Sequence, residues 1–183
     1  MELNDAIKTR RSVRAYKANT TVDRETVIDI IATAQHAPSW KNSQTGRYYV
    51  VTDAEKLAEI KEKCLPEFNQ KNCKYAPVLI VTAFEKGHSG FDNEKNPVNE
   101  LGDQWGAYDL GLQNQLLILA AREYGLDTLV MGIRNEKALR EQLNIPGTQQ
   151  VVSVIALGYS DIEPAMPKRK EIDEIVKFFY FIL

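Results

Sequence analysis

Five residues near the start of the chain, Arg10-Arg11-Ser12-Val13-Arg14, place three guanidinium groups around a hydroxyl and a run of backbone N–H groups. Guanidinium forks match phosphate oxygens two at a time, and successive N–H groups form concave anion seats, so this spacing suits a phosphate cradle. The segment lies in a stretch from Lys8 to Lys17 that holds five cations and no acid. A second island, Lys168-Arg169-Lys170, stands near the other end. Removing these eight from the 23 Lys and Arg leaves 15 basic against 25 acidic residues. The net charge of −2 therefore conceals an acidic chain with two local cation clusters. A nucleic-acid binder spreads cations along a face, whereas this distribution fits a small anion or two solvated surface patches.

Other chemistries find little support. Cys64 and Cys73 are the only cysteines, nine positions apart, and match neither a disulfide framework nor a metal motif. Two histidines, His36 and His88, make a His-rich metal site implausible. No Ser/His/Asp, Cys/His or paired-carboxylate constellation stands out for nucleophilic or acid–base catalysis. The N-terminus MELNDAIKTRR lacks the apolar stretch of a signal peptide, and no run approaches the ~18 apolar residues of a membrane span. The expectation is one cytoplasmic domain of 183 residues, with neither nucleic acid nor membrane as a partner.

The elements that must position these residues can be read from periodicity. Asn4 or Asp5 is placed to cap a short first helix ending before the basic segment. Val27, Ile30, Ile31 and Ala34 form a one-face stripe over a helix from about Asp23 to Gln35, stopped by Pro38. Ala37 to Gly46 has loop composition, and Arg47 to Thr52 is β-branched and aromatic, hence a strand. Asp53 caps a helix carrying Leu57, Ile60 and Cys64. Val78 to Phe84 is a continuous apolar run, expected as a strand buried on both faces. Glu85 to Asn99 is a long polar loop. The longest helix, about Asp103 to Tyr124, is apolar over much of its circumference and stops at Gly125. Thr128 to Met131, Glu136 to Leu143 and Val151 to Leu157 read as strand, helix and strand. The end, Phe178-Phe179-Tyr180-Phe181-Ile182-Leu183, is too apolar to stand in water and should pack on its own core or on a partner subunit. The fold class is α+β or mixed α/β.

In this order the motifs resemble the FMN-dependent nitroreductase family, over nearly the whole chain. The Arg10–Arg14 segment is similar to the family's flavin phosphate and ring segment, and Ala37-Pro38-Ser39-Trp40-Lys41-Asn42-Ser43-Gln44 to its second flavin loop. The long helix followed by Gly125-Leu126-Asp127-Thr128 and Met131-Gly132-Ile133-Arg134 resembles the third. Ile155-Ala156-Leu157-Gly158-Tyr159, then Pro167-Lys168-Arg169-Lys170, resembles its C-terminal phosphate clamp. The resemblance implies an α+β fold with a central, mostly antiparallel sheet flanked by helices. It also implies a homodimer with two FMN sites at the interface, each built from both chains. No G-x-G-x-x-G or P-loop pattern follows any strand, in keeping with a fold other than Rossmann.

The resemblance implies that Arg10, Ser12, Lys168 and Arg169 meet the FMN phosphate, with Arg11 also among the cofactor-binding residues. Arg14 would stand beside the ring, and Asn69 and Lys71 would do so after a one-residue gap. Pro38, Ser39, Asn42 and Gln44 would reach the flavin, the first two from the neighbouring subunit. Met131, Gly132 and Ile133 would act through backbone, with an N–H toward flavin N5. NAD(P)H would deliver hydride, and an electron-poor acceptor such as a nitroaromatic or quinone would take its place in a ping-pong cycle. Other flavin chemistry on the same scaffold, such as dehalogenation or dehydrogenation, and a non-enzymatic phosphate-binding module remain as alternatives. Two departures bear on the acceptor: Thr45-Gly46-Arg47 follows where the family often has an aromatic residue, and only the Glu85–Asn99 loop is available to cover the flavin.

Overall fold

A computed structural model describes residues 2–179. The chain runs α1 (Leu3–Thr9), α2 (Arg24–Ala34), a 3-10 turn (Trp40–Asn42), β1 (Gly46–Val51), α3 (Ala54–Cys64) and α4 (Glu67–Asn72). It continues through β2 (Val78–Glu85), α5 (Gln104–Glu123), β3 (Asp127–Met131), α6 (Glu136–Leu143), β4 (Gln149–Gly158) and a 3-10 turn at Ile172–Glu174. The four strands form one sheet in the order β1-β2-β4-β3, with every neighbouring pair antiparallel. This is the α+β arrangement with a central antiparallel sheet and flanking helices that the family resemblance implies.

The strand period of two sorts the side chains into two layers. Leu79 and Val81 of β2 and Val154 and Ala156 of β4 face one way, into a core shared with Ile60 and Cys64 of α3 and Leu139 of α6. Val78 and Ile80 of β2 and Ile155 and Leu157 of β4 face the other way, onto Ile30 of α2 and Leu117 and Ala121 of α5. Each fully buried Val, Leu or Ile contributes about 1.5–3 kcal/mol relative to exposure. The continuous apolar run of β2 is thus explained: Val78 to Phe84 is buried throughout because helices cover both faces.

Caps fix the helix starts. Asp23 accepts from Thr26 N at 2.7 Å, Asp53 from Lys56 N at 2.8 Å, and Asn135 from Ala138 N at 3.1 Å. Gly125 ends α5 with φ +70°. One local expectation is corrected, and two further details are new. The first helix starts at Leu3 with Glu2 at its cap and no side-chain cap bond, so Asn4 and Asp5 lie inside its first turn. Asp103 at the start of α5 does not cap it; its carboxylate accepts from Gly87 N at 2.7 Å and so ties down the loop after β2. The segment after α3 is no mere connection, because Glu67–Asn72 forms α4 with Asn69 buried.

Within the described part of the C-terminal tail, Phe178 and Phe179 are 78% and 94% exposed, so on this chain they do not pack on its own core. Tyr180 to Leu183, the rest of the apolar end, lie outside the described residues.

Cys64 and Cys73 are free and buried in the α3-side core. Burial raises both thiols, that of Cys73 to about 11 despite the opposing charge of Lys61. Neither thiol should react with Ellman's reagent at pH 8 in the native state, and both should react in denaturant; rapid native labelling would contradict the packing.

Candidate functional site

The N-terminal basic segment is fixed onto the sheet by its apolar residues. Val13 is buried and its N–H donates to Thr128 O at 3.0 Å, while Ser12 makes a parallel bridge to Thr128 on β3. Tyr16 is buried beside β4, with its hydroxyl donating to Ala156 O at 3.4 Å, and Lys17 N donates to Tyr159 O at 2.9 Å. Burial, with smaller contributions from Cys73 and Asp127, holds the Tyr16 hydroxyl far above the ordinary phenol range, so it stays protonated and keeps donating. Alternate anchors at Val13 and Tyr16 leave Ser12 and Arg14 turned outward.

This outward face forms a pocket of about 310 Å³ lined by Arg10, Arg11, Ser12 and Arg14 together with Pro164, Ala165, Pro167 and Arg169. The two charge islands, more than 150 positions apart in the chain, therefore meet in one cavity. Every charged residue on its wall is an arginine. Arg11 is partly committed to structure, since it donates to Lys8 O at 2.7 Å and Arg10 O at 2.8 Å. Arg14 donates to Ser12 O at 3.3 Å. Among the described residues, neither Arg10 nor Arg169 has an acidic partner. Unneutralised guanidiniums facing one another repel, so the donor set fits a multiply charged anion such as a phosphate monoester. Lys168 is exposed and stands outside the pocket wall, as does Lys170. A larger neighbouring cavity of about 720 Å³ shares Arg11 and Pro164, but Asp127, Asp161 and Glu163 join its lining, and Arg122 is already paired with Asp127 at 2.6 Å. Its mixed charge does not select an anion.

The third expected segment lies on the same sheet edge. Met131 ends β3 and is buried, so it has only backbone to offer, whereas Gly132 and Ile133 are exposed. The segment is held from two sides. Asn69 of α4 donates through Nδ2 to Ile133 O at 2.9 Å, and Arg134 donates to Gly132 O at 3.3 Å and Val151 O at 2.6 Å. A Cβ built on Gly132 would meet nothing within 4 Å, so open space stands over that backbone. Lys71, two positions along α4, is exposed and paired with Glu67 at 2.7 Å.

The second expected loop is elsewhere. Pro38, Ser39, Asn42 and Gln44 lead into β1, at the opposite edge of the sheet from β3. Three strand spacings of ~4.8 Å put those edges roughly 14 Å apart. Lys41, Asn42 and Gln44 all have positive φ (46°, 55° and 49°), a strained run that needs external support. Asp109 of α5 supplies it. This carboxylate, 4% exposed, accepts from Trp40 N at 2.9 Å and from Ser89 Oγ at 2.7 Å; Ser43 shares a 2.8 Å hydroxyl contact with the same Ser89. Ser39 Oγ accepts from Gln44 N at 3.1 Å, closing the turn internally. One chain thus gathers the Arg10–Arg14, Arg169, Gly132 and Asn69 group on one edge and the Pro38–Gln44 group on the other.

Sequence reasoning missed the proline wall of the arginine pocket and the role of Asp109. A signal for the second was present: Asp109 is the one acid between Gln104 and Arg122, flanked by Tyr108 and Leu110, and an acid that such a helix buries must find donors.

Residues 7–75 and 65–159 match the model of the nitroreductase family, so the chain belongs to that family. A relative from Archaeoglobus fulgidus, provisionally named NADH dehydrogenase/NAD(P)H nitroreductase, is 34% identical over 84% of this chain and 82% of its own. Among solved structures, the enone reductase CLA-ER of gut-bacterial fatty acid saturation superposes with a TM-score of 0.84 at 22% identity, covering 97% of both chains. A provisionally assigned nitroreductase from Exiguobacterium sibiricum, solved with FMN, gives 0.79 at 21% identity, also covering 97% of both. At such identities the structures establish a common fold. Among the described residues, no helix is long and apolar enough to cross a membrane, and no group of three His, Cys, Asp or Glu could hold a metal.

Proposed function

We propose that this chain is an FMN-dependent oxidoreductase that passes hydride equivalents from NAD(P)H to an electron-poor acceptor such as a nitroaromatic or quinone. The observation that carries the reading is the convergence of both charge islands on one acid-free pocket, on the same sheet edge as the open backbone at Gly132. Arg10, Ser12 and Arg169 would hold the phosphate, with Arg11 half-committed to the backbone and Lys168 adding diffuse charge from outside the pocket. Arg14 would set a cation toward the ring, where it favours negative charge. Asn69 would act chiefly as a strut that holds the 131–133 backbone in place. Lys71 would have to leave Glu67 to take part.

When bound, FMN supplies a ring that accepts a hydride from the nicotinamide and returns two electrons to a second ligand in the same place. The protein would orient the ring, exclude water and leave a single open face, which makes the two half-reactions alternate. Protons for the reduced acceptor would come from solvent. The Pro38–Gln44 loop lies on the far sheet edge, so a second copy of the chain would have to bring it to the flavin. The exposed Phe178 and Phe179 would be covered in that same homodimer. Two free thiols in the core suit a cytoplasmic, reducing setting.

Steady-state oxidation of NADH or NADPH with 4-nitrobenzamide or menadione should give parallel double-reciprocal lines. A flavin-loaded protein that oxidises neither nucleotide in the presence of any such acceptor would overturn the reading. Gly132→Val offers a local check. A Cβ at this position meets nothing within 4 Å, so thermal stability should stay within about 2 °C, while FMN affinity should fall at least fivefold because the ring needs that space. Unchanged affinity would remove Gly132 from the ring contact.

A further inference from the structure

The pocket that adjoins the Pro38–Gln44 loop has a chemical character of its own. It holds about 290 Å³ between Trp40, Lys41 and Ser43 on one side and Gly87, His88, Phe91, Asp92, Asn93 and Lys95 on the other. Two aromatic rings, two ammonium groups and an imidazole face one volume, with a single acid among them. That acid, Asp92, accepts from Glu94 N at 2.9 Å and Asn96 N at 2.8 Å in the loop's turn and stays charged, with Lys41 near enough to favour its ionised form, so two ammonium groups face one carboxylate and the pocket keeps a net positive charge. Lys95, at φ +66°, reaches back to Gly87 O at 3.1 Å and to His88 Nδ1 at 3.3 Å, so its charge is held at the rim. No salt bridge ties Lys41 or Lys95 to any acid among the described residues.

The pocket is also rigid. Trp40 packs against Trp105 of α5 with ring centroids 4.9 Å apart, and Trp105 in turn donates to Asn99 Oδ1 at 2.9 Å. Gly90, at φ +83°, lies so close to Trp105 and Gly102 O that a Cβ would sit 2.5 and 2.7 Å from them. The loop and the tryptophan pair are therefore locked face to face, and of the two cations Lys95 is held in place by Gly87 O and His88 while Lys41 stands exposed on the strained turn.

We propose that this pocket selects the acceptor: it takes planar aromatic compounds bearing a carboxylate or sulfonate in preference to their neutral counterparts. The ring lies against Trp40 and Phe91, and the anion lies between Lys41 and Lys95. The assignment of the bound molecule as an electron acceptor rests on the flavin reading above; the binding preference does not.

Trp40 lines this pocket and Trp105, the other tryptophan of the chain, packs against it, so intrinsic fluorescence reports its occupancy. Purified protein, with and without added FMN, would be titrated with benzoate and with benzamide. Benzoate should bind at least tenfold more tightly. In K41Q/K95Q that preference should fall below threefold, and K41R/K95R should restore it. Equal binding of the two ligands by the wild type, or a preference that survives K41Q/K95Q, would overturn the proposal. Failure of FMN to bind would remove the oxidoreductase reading and leave this ligand preference to be judged by the same titrations. A parallel titration with NADPH and NADH distinguishes the remaining source of anionic charge. Loss of NADPH binding in K41Q/K95Q without change for benzoate would assign the cations to the dinucleotide phosphate and overturn the acceptor claim.

Discussion

Arg10→Ala and Arg169→Ala should each weaken FMN binding by roughly tenfold to a hundredfold, the loss expected for one charge-assisted hydrogen bond of about 1.5–3 kcal/mol. The two residues come from opposite ends of the chain and line one pocket of about 310 Å³ with no acid in its wall. Their effects should differ in kind from those of Lys168→Ala. An exposed lysine outside the wall offers long-range attraction only, and raising salt from 50 to 500 mM should erase most of its small contribution. Folding should be unharmed in either arginine variant, because removing one of several mutually repelling guanidiniums relieves the empty pocket. Flavin affinities within twofold of wild type in both variants would show that the islands do not act together.

Asp109→Ala should be the most damaging single change outside the apolar core. The carboxylate is 4% exposed and receives both the Trp40 N–H and the Ser89 hydroxyl. Its loss leaves those donors unpaired and releases the positive-φ turn at Lys41, Asn42 and Gln44. Two hydrogen bonds to a charged acceptor, less the relief of desolvating it, suggest a cost of about 3 kcal/mol. For a chain of this size that corresponds to a fall in Tm of roughly 6–12 °C. Asp109→Asn keeps one acceptor oxygen and should recover about half. The variant should also lose FMN, although Asp109 lies in helix α5 and outside the phosphate pocket, because the loop it holds is expected to complete the site of the other subunit. A stable Asp109→Ala protein with full flavin affinity would contradict both halves of this expectation.

Much of this was legible in the residues because each signal was local. The apolar run of β2, the stripe of α2 and the glycine stop of α5 express burial and backbone freedom, which act over a few positions. The charge islands were legible as clusters, and their family resemblance paired them; the pocket wall of Pro164, Ala165 and Pro167 was not, since those residues matter only through where the tail crosses the N-terminal segment. Helix α4 was missed for a related reason. Six residues, five of them polar, cannot hold a helix in water, and this one is stabilised by Asn69 bonding across to Ile133 O, a contact 64 positions away. The division of the site between two sheet edges is likewise a property of strand order, β1-β2-β4-β3, which no local pattern encodes.

The central claim is that a phosphate is held between the two ends of the chain. Parallel titrations of flavin-free protein with FMN and with riboflavin, which differ only in that phosphate, test it most directly. Wild-type protein should take one FMN per chain and prefer it over riboflavin by at least a hundredfold, as two such contacts of about 1.5–3 kcal/mol each require. Arg10→Ala/Arg169→Ala should bring the two flavins within a few-fold of each other. Equal affinity of the wild type for FMN and riboflavin, or no uptake of either, would contradict it.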